Sequence, residues 1–160
     1  MIDTPEIAKT SRQSAATIRL TIQREDIQRV MGPAIKEVFA AIAAQGIKPA
    51  GPVFSHHFRM EPGMFDFAVG VPVNQPVAAA GRVVPGELPA STVLRTDYHG
   101  GYEGLGAAWG EFDSWIANHG YSVAGDLWEC YVTGPESGPD SSGWRTELNR
   151  PLADGAEAHV

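Results

Sequence analysis

The 160-residue chain has one cysteine, only twelve basic residues against nineteen acidic ones, and no apolar run long enough to span a bilayer. Each scarcity excludes a class of protein. Cys130 alone cannot close an internal disulfide, and no Cys or His pair has the spacing of a structural zinc site, which points to a reducing, cytoplasmic setting. A formal charge of −7 with scattered Lys and Arg excludes the clustered basic footprint that a phosphate backbone requires, so no direct nucleic-acid contact is expected. The polar stretch Met1–Ser14 lacks the apolar core of a signal peptide, and Gly or charged residues interrupt the longest apolar runs well short of a membrane span. Neither export nor membrane insertion is expected. No cofactor motif is present. His56 and His57 are strand neighbours pointing to opposite faces and cannot chelate together, so no metal is expected. The turn Tyr98–Tyr102 (YHGGY) lacks the lysine and the full glycine pattern of a phosphate loop.

What is present is enough for a core: 43% of residues are hydrophobic and 19% charged, the balance of a folded domain. The length suits a single domain over residues 1–160, with its core between about 16 and 152 and frayed ends. Ala16–Ile22 reads as a β-branched strand, and a helical stretch opens at Arg24 and breaks at Gly32-Pro33. The helix proper then runs from Pro33 to a C-terminal cap at Gly46, with Ile35, Val38, Phe39 and Ile42 at helical spacing. Val53–Met60 and Met64–Val73 form a hairpin across Glu61-Pro62-Gly63. After a Pro- and Gly-rich link, Asn74–Pro89, the order recurs. Ser91–Tyr98 is a strand, Tyr102–His119 a helix closed by Gly120, and Leu127–Val132 and Trp144–Arg150 are strands flanking the loop Gly134–Gly143.

Gly46 and Gly120 stand 74 positions apart, and the same interval lays Met31 on Leu105, Ile35 on Trp109, Val38 on Phe112, Ile42 on Ile116 and Gly51 on Gly125. This self-similarity indicates an α+β fold of duplicated strand-helix-strand-strand units related by a pseudo-twofold. In that arrangement antiparallel sheets enclose a ligand cleft and the helices pack outside. Chance matching of two amphipathic helices is the alternative.

Strand alternation then assigns faces. In Leu127–Val132, Trp128, Cys130 and Val132 share one side, read as the helix side. Leu127, Glu129 and Tyr131 share the other, read as the cleft side. The 74-residue interval puts Ser55 at Glu129 and His57 at Tyr131, again on the cleft side. A carboxylate flanked by aromatics in a central strand must be paired, solvated or neutralised. A cationic or flat aromatic guest serves that need through charge, cation–π and stacking contacts. Pairing with Arg95 or Arg145 across the sheet is the structural alternative. Trp109, Phe112 and Ile116 are at core spacing and are read as core.

The segments Gly46–Pro52 (GIKPAGP), Val69–Val73 (VGVPV), Tyr98–Tyr102, Ala108-Trp109, Trp128–Tyr131 (WECY) and Trp144–Leu152 (WRTELNRPL) together resemble the GyrI-like small-molecule-binding domain, also called the AraC-type effector-binding domain. The likeness runs from about Thr17 to Leu152, although the family commonly has His where Tyr98 stands. It implies that Glu129 is the central glutamate of a hydrophobic, aromatic-lined groove accepting lipophilic cations, with Tyr98, Tyr131, Ser55, His57 and Leu127 as lining. In the family such a domain often follows a DNA-binding module, for which the residues before the first strand leave no room. A stand-alone binder of small organic molecules is therefore the first expectation. The second is a hydrolase of cyclopropane-bearing toxins, with Glu129 as general base and Tyr98 or Tyr131 as its hydrogen-bonding partner. The third is a gyrase-inhibitor-like interaction protein.

Overall fold

The computed structural model describes residues 2–61, 63–134 and 138–153. Pro62 of the expected hairpin turn, residues 135–137 of the polar loop and the expected frayed tail from residue 154 lie outside the described residues. Among the described residues eight strands and two helices follow one another as β1 (Glu6–Lys9), β2 (Gln13–Gln23), α1 (Ile27–Ala44), β3 (Phe54–Glu61), β4 (Met64–Pro72), β5 (Val84–Leu88), β6 (Thr92–His99), α2 (Leu105–Asn118), β7 (Leu127–Thr133) and β8 (Arg145–Pro151). The α+β class indicated by the sequence is borne out. The chain forms two compact units, one of Met1–Thr10 with Ser91–Val160 and one of Ser11–Ala90.

In the Ser11–Ala90 unit the antiparallel strand order is β3-β4-β2-β5, and in the other unit it is β7-β8-β6-β1. The strand-helix-strand-strand segment of each unit thus has the same element order and the same strand neighbours. Finer details repeat as well. Each helix ends in the same doubly hydrogen-bonded cap, Ile47 N–H to Ile42 O with Gly46 N–H to Ala43 O, and Tyr121 N–H to Ile116 O with Gly120 N–H to Ala117 O. Gly46 and Gly120 take the left-handed φ values of 71° and 73° that this cap demands. The ladders slip between His57 and Arg59 in β3 and between Tyr131 and Thr133 in β7, 74 residues on.

Several boundaries differ from the sequence reading: β2 begins at Gln13 rather than Ala16, and α2 begins at Leu105, after a short turn over Tyr102–Gly104. The first helix begins at Ile27, and Pro33 lies inside it. Pro33 is exposed there, and the apolar stripe of Ala34, Val38 and Ile42, buried against Ile18, Val69 and Val71, carries the helix through the lost backbone bond. Two further elements, β1 and β5, are short edge strands in stretches read as tail and link. Too few residues alternate in them to leave a period.

Each unit buries its helix on one face of its sheet. Ala108, Phe112 and Ile116 of α2 pack on Leu94, Tyr98 and Leu148. In register, Thr96 lies opposite Leu148 and Tyr98 opposite Thr146, while β7 sets Glu129 opposite Leu148 and Tyr131 opposite Thr146. Residues directly opposite share a face. Glu129 and Tyr131 therefore lie on the α2 side, and Trp128 and Cys130 on the other, the reverse of the expected assignment. Likewise Ser55 and His57 lie opposite Val69 and Phe67, which belong to the α1 core. The expectation failed because both sheet faces are buried at these points. Trp128 is only 2% exposed and Asn149 fully buried on the side away from α2, so apolar alternation does not mark the helix side.

Candidate functional site

Glu129 sits in β7 under α2 and is 9% exposed. Two aromatic side chains hold its carboxylate. Trp109 of α2 donates its indole N–H to Oε2 at 2.6 Å, and Tyr131, two residues along the same strand, donates its hydroxyl to Oε1 at 2.7 Å. Their placement follows from helix and strand geometry. Trp109 comes one residue after Ala108 at the margin of the Ala108/Phe112/Ile116 stripe, its ring stacked on Phe112 with centroids 5.7 Å apart. An indole N–H can only donate, so at a half-buried margin it must meet an acceptor. Tyr131 shares Glu129's face by strand alternation.

The aromatic frame continues outward. The edge of Tyr102, in the short turn before α2, meets Tyr131 with centroids 5.7 Å apart, and Tyr102 lies 5.2 Å from Trp144. Trp144 is held in turn by its indole N–H, which donates to Gly138 O at 3.2 Å. A buried carboxylate thus stands at one end of a series of aromatic contacts running through Tyr131 and Tyr102 to Trp144.

The two arginines weighed as ion-pair partners act on the face away from α2. Arg95 lies 3.4 Å from Glu147 and donates to Asn149 Oδ1 at 2.8 Å, while Arg145 lies 3.4 Å from Asp97. Cys130 shares that face. Its thiol is pushed up to about 12, by burial first and by the Glu147 carboxylate second, so it is held as an inert thiol.

The remaining expected site residues divide between the units. Leu127, buried, shares Glu129's face two positions before it. Tyr98 shares the face too, but its hydroxyl donates to Gly101 O at 2.8 Å. A side chain at Gly104 would collide with that hydroxyl. Tyr98 thus locks the turn that launches α2. Ser55 and His57 belong to the Ser11–Ala90 unit, with Ser55 Oγ 3.3 Å from His57 Nε2. The His57 ring stacks on Phe67 at 4.9 Å and meets the edge of Phe65 at 5.1 Å. Burial, with a smaller contribution from His56, pushes its pKa down to about 4, so the imidazole is neutral at physiological pH. Among the described residues no cluster of His, Cys, Asp and Glu could hold a metal ion.

Sequence reasoning assigned Trp109 to the core and did not single out Tyr102 or Trp144 as site residues. One signal for Trp109 was available: the 74-residue interval aligns it with the aliphatic Ile35, so the segment that carries the glutamate also gains an indole donor. Tyr102 and Trp144 meet only through tertiary folding.

One helix thus lies over a sheet whose strand β7 carries a buried glutamate held by aromatic side chains. The chain belongs to the GyrI-like small molecule binding domain family, whose sequence profile matches residues 4–153. Among solved structures it is similar to the C-terminal domain of EcmrR, with a TM-score of 0.81 and 20% identity over 94% of this chain and 97% of that one. Against EcmrR in its complex with DNA the chain spans 57% of that protein's length. It is also similar to SAV2435 bound to tetraphenylphosphonium, with a TM-score of 0.68 and 14% identity over 98% of both chains. A hydrolase from Listeria innocua has a TM-score of 0.63 and 12% identity, over 93% of this chain and 91% of that one. No curated protein matches by sequence. Among the described residues no helix is long and apolar enough to cross a membrane.

Proposed function

We propose that this domain binds lipophilic organic cations and flat aromatic cations at Glu129. The observation that carries the reading is the frame itself: a buried carboxylate whose oxygens accept from Trp109 and Tyr131, continued by the rings of Tyr102 and Trp144. The negative charge attracts the cation, and the rings take its apolar shell through dispersion and cation–π contact. That SAV2435 was solved with tetraphenylphosphonium supports the choice of ligand class. The direct test is titration with tetraphenylphosphonium and with neutral triphenylphosphine oxide. Glu129→Gln should weaken the phosphonium about ten- to hundredfold, the value of a charge-assisted contact, and leave the neutral compound nearly unchanged. Equal phosphonium affinity in wild type and variant would remove Glu129 from the site.

A hydrolytic use of the same residues is the second reading, favoured by the Tyr131 hydroxyl on Glu129. Glu129 would take a proton from water while Tyr131 holds the carboxylate in place. Mass spectrometry after incubation with a cyclopropane-bearing compound decides it: wild type must consume the compound, and Glu129→Gln must bind it and leave it intact.

A further inference from the structure

We infer that Arg150 is a carboxylate-binding residue set beside Glu129, so that the domain takes zwitterionic aromatic molecules, with the cationic group at Glu129 and a carboxylate at Arg150. The inference rests on the cation-binding reading above and adds to it the second charged group of the ligand.

Matching backbone contacts in the two units single the residue out. Ala50 N–H bonds Pro72 O at 2.7 Å and Val73 N–H bonds Ser14 O at 2.9 Å, while Ala124 N–H bonds Pro151 O and Leu152 N–H bonds Thr92 O, each at 2.9 Å. Arg150 therefore holds the place that Val71, fully buried in the α1 core, has in its own unit. It faces α2, because it lies opposite Leu94 of the α2 core. A guanidinium at such a position needs acceptors. Its side chain is only 16% exposed, yet Nη1 stands 3.9 Å from Asp113 Oδ1, too far for a hydrogen bond. Nε is buried and has no hydrogen-bond partner among the described residues. Burial raises the Asp113 pKa more than Arg150 lowers it, as so loose a pair allows. The unmet Nε edge suits a carboxylate, whose two oxygens match the planar guanidinium fork.

The same register places this charge beside Glu129. Glu129 lies opposite Leu148, two residues before Arg150 on β8, so the two are diagonal neighbours on one face, about 7 Å apart at Cβ. Trp109 and Asp113, one turn apart on the same side of α2, approach Glu129 and Arg150 respectively. A ligand with opposite charges at the two ends of a ring can address both residues at once.

The test uses two ligands built on one ring, benzyltrimethylammonium and 4-(trimethylammoniomethyl)benzoate, which adds a carboxylate at the far end. They are titrated calorimetrically into wild type, Arg150→Met and Asp113→Asn. Wild type should hold the zwitterion about tenfold tighter than the plain cation. Arg150→Met, which keeps an apolar stem where the other unit has Val71, should erase that preference and still bind the plain cation. Asp113→Asn removes the competing carboxylate and should widen the preference about threefold, so it carries the test if Arg150→Met fails to fold. A purely structural Arg150–Asp113 pair predicts instead that each variant weakens both ligands alike. That outcome, equal binding of the two ligands by wild type, or a preference that survives in Arg150→Met overturns the inference and leaves the cation reading standing. Failure of wild type to bind benzyltrimethylammonium overturns the cation reading, and the inference with it.

Discussion

Trp109 and Glu129, twenty residues apart and on different elements, meet through a 2.6 Å hydrogen bond from the indole N–H to Oε2. This contact ties α2 to β7 and identifies the sheet face on which the glutamate lies. The same face carries Tyr98, Thr146 and Leu148, so residues of the α2 core and of the proposed ligand site lie side by side there and substitution must separate them.

Tyr98→Phe should lower stability without altering ligand affinity. It removes a hydroxyl that is buried and bonded to Gly101 O, a loss of about 1–2 kcal/mol. A reduced melting temperature with unchanged phosphonium titration is the expected pair of results. Lost affinity at unchanged stability would make Tyr98 a ligand contact.

Gly46→Ala and Gly120→Ala should each cost about 1 kcal/mol in urea denaturation. No atom lies within 4 Å of the Cβ that either substitution adds, so the cost is that of left-handed backbone alone. The two effects should add, since each acts on its own helix end.

His57 makes stability depend on pH. Its pKa falls from 6.5 to about 4 on folding, so between those values the unfolded chain binds a proton that the folded chain does not. Stability is then full above about pH 6.5 and declines as pH falls toward 4, by about 3 kcal/mol from this group. His57→Phe, which keeps a ring beside Phe67, should lose distinctly less stability than wild type between pH 7.5 and pH 4.5. Parallel losses in the two proteins would show that His57 titrates normally.

Cys130 should resist alkylation in the folded protein. With its thiol pushed up to about 12, almost no thiolate exists at pH 8, and iodoacetamide should label it only after denaturant is added. Rapid labelling of the native chain would contradict that burial.

Sequence alone determined the elements that repeat. Gly46 and Gly120 mark helix ends because a left-handed cap selects glycine locally, and Ile35, Val38 and Ile42, with Trp109, Phe112 and Ile116, mark helices because burial on one side imposes a 3.6-residue period, whereas Phe39, read with them, is exposed. Glu129 and Tyr131 were legible as neighbours because strand alternation puts residues two apart on one face. Which face that was, only tertiary structure decided. Trp128 and Asn149 are buried on the side away from α2, so burial along β7 does not distinguish the two sides. The partners of the carboxylate were equally out of reach. Trp109 and Glu129 are brought together by the packing of α2 on β6 and β8, a long-range contact that no local period encodes. The edge strands β1 and β5 form only because β6 and β2 offer open ladders to them. Local rules place residues along an element, whereas the pairing of elements rests on interactions between residues far apart in the chain.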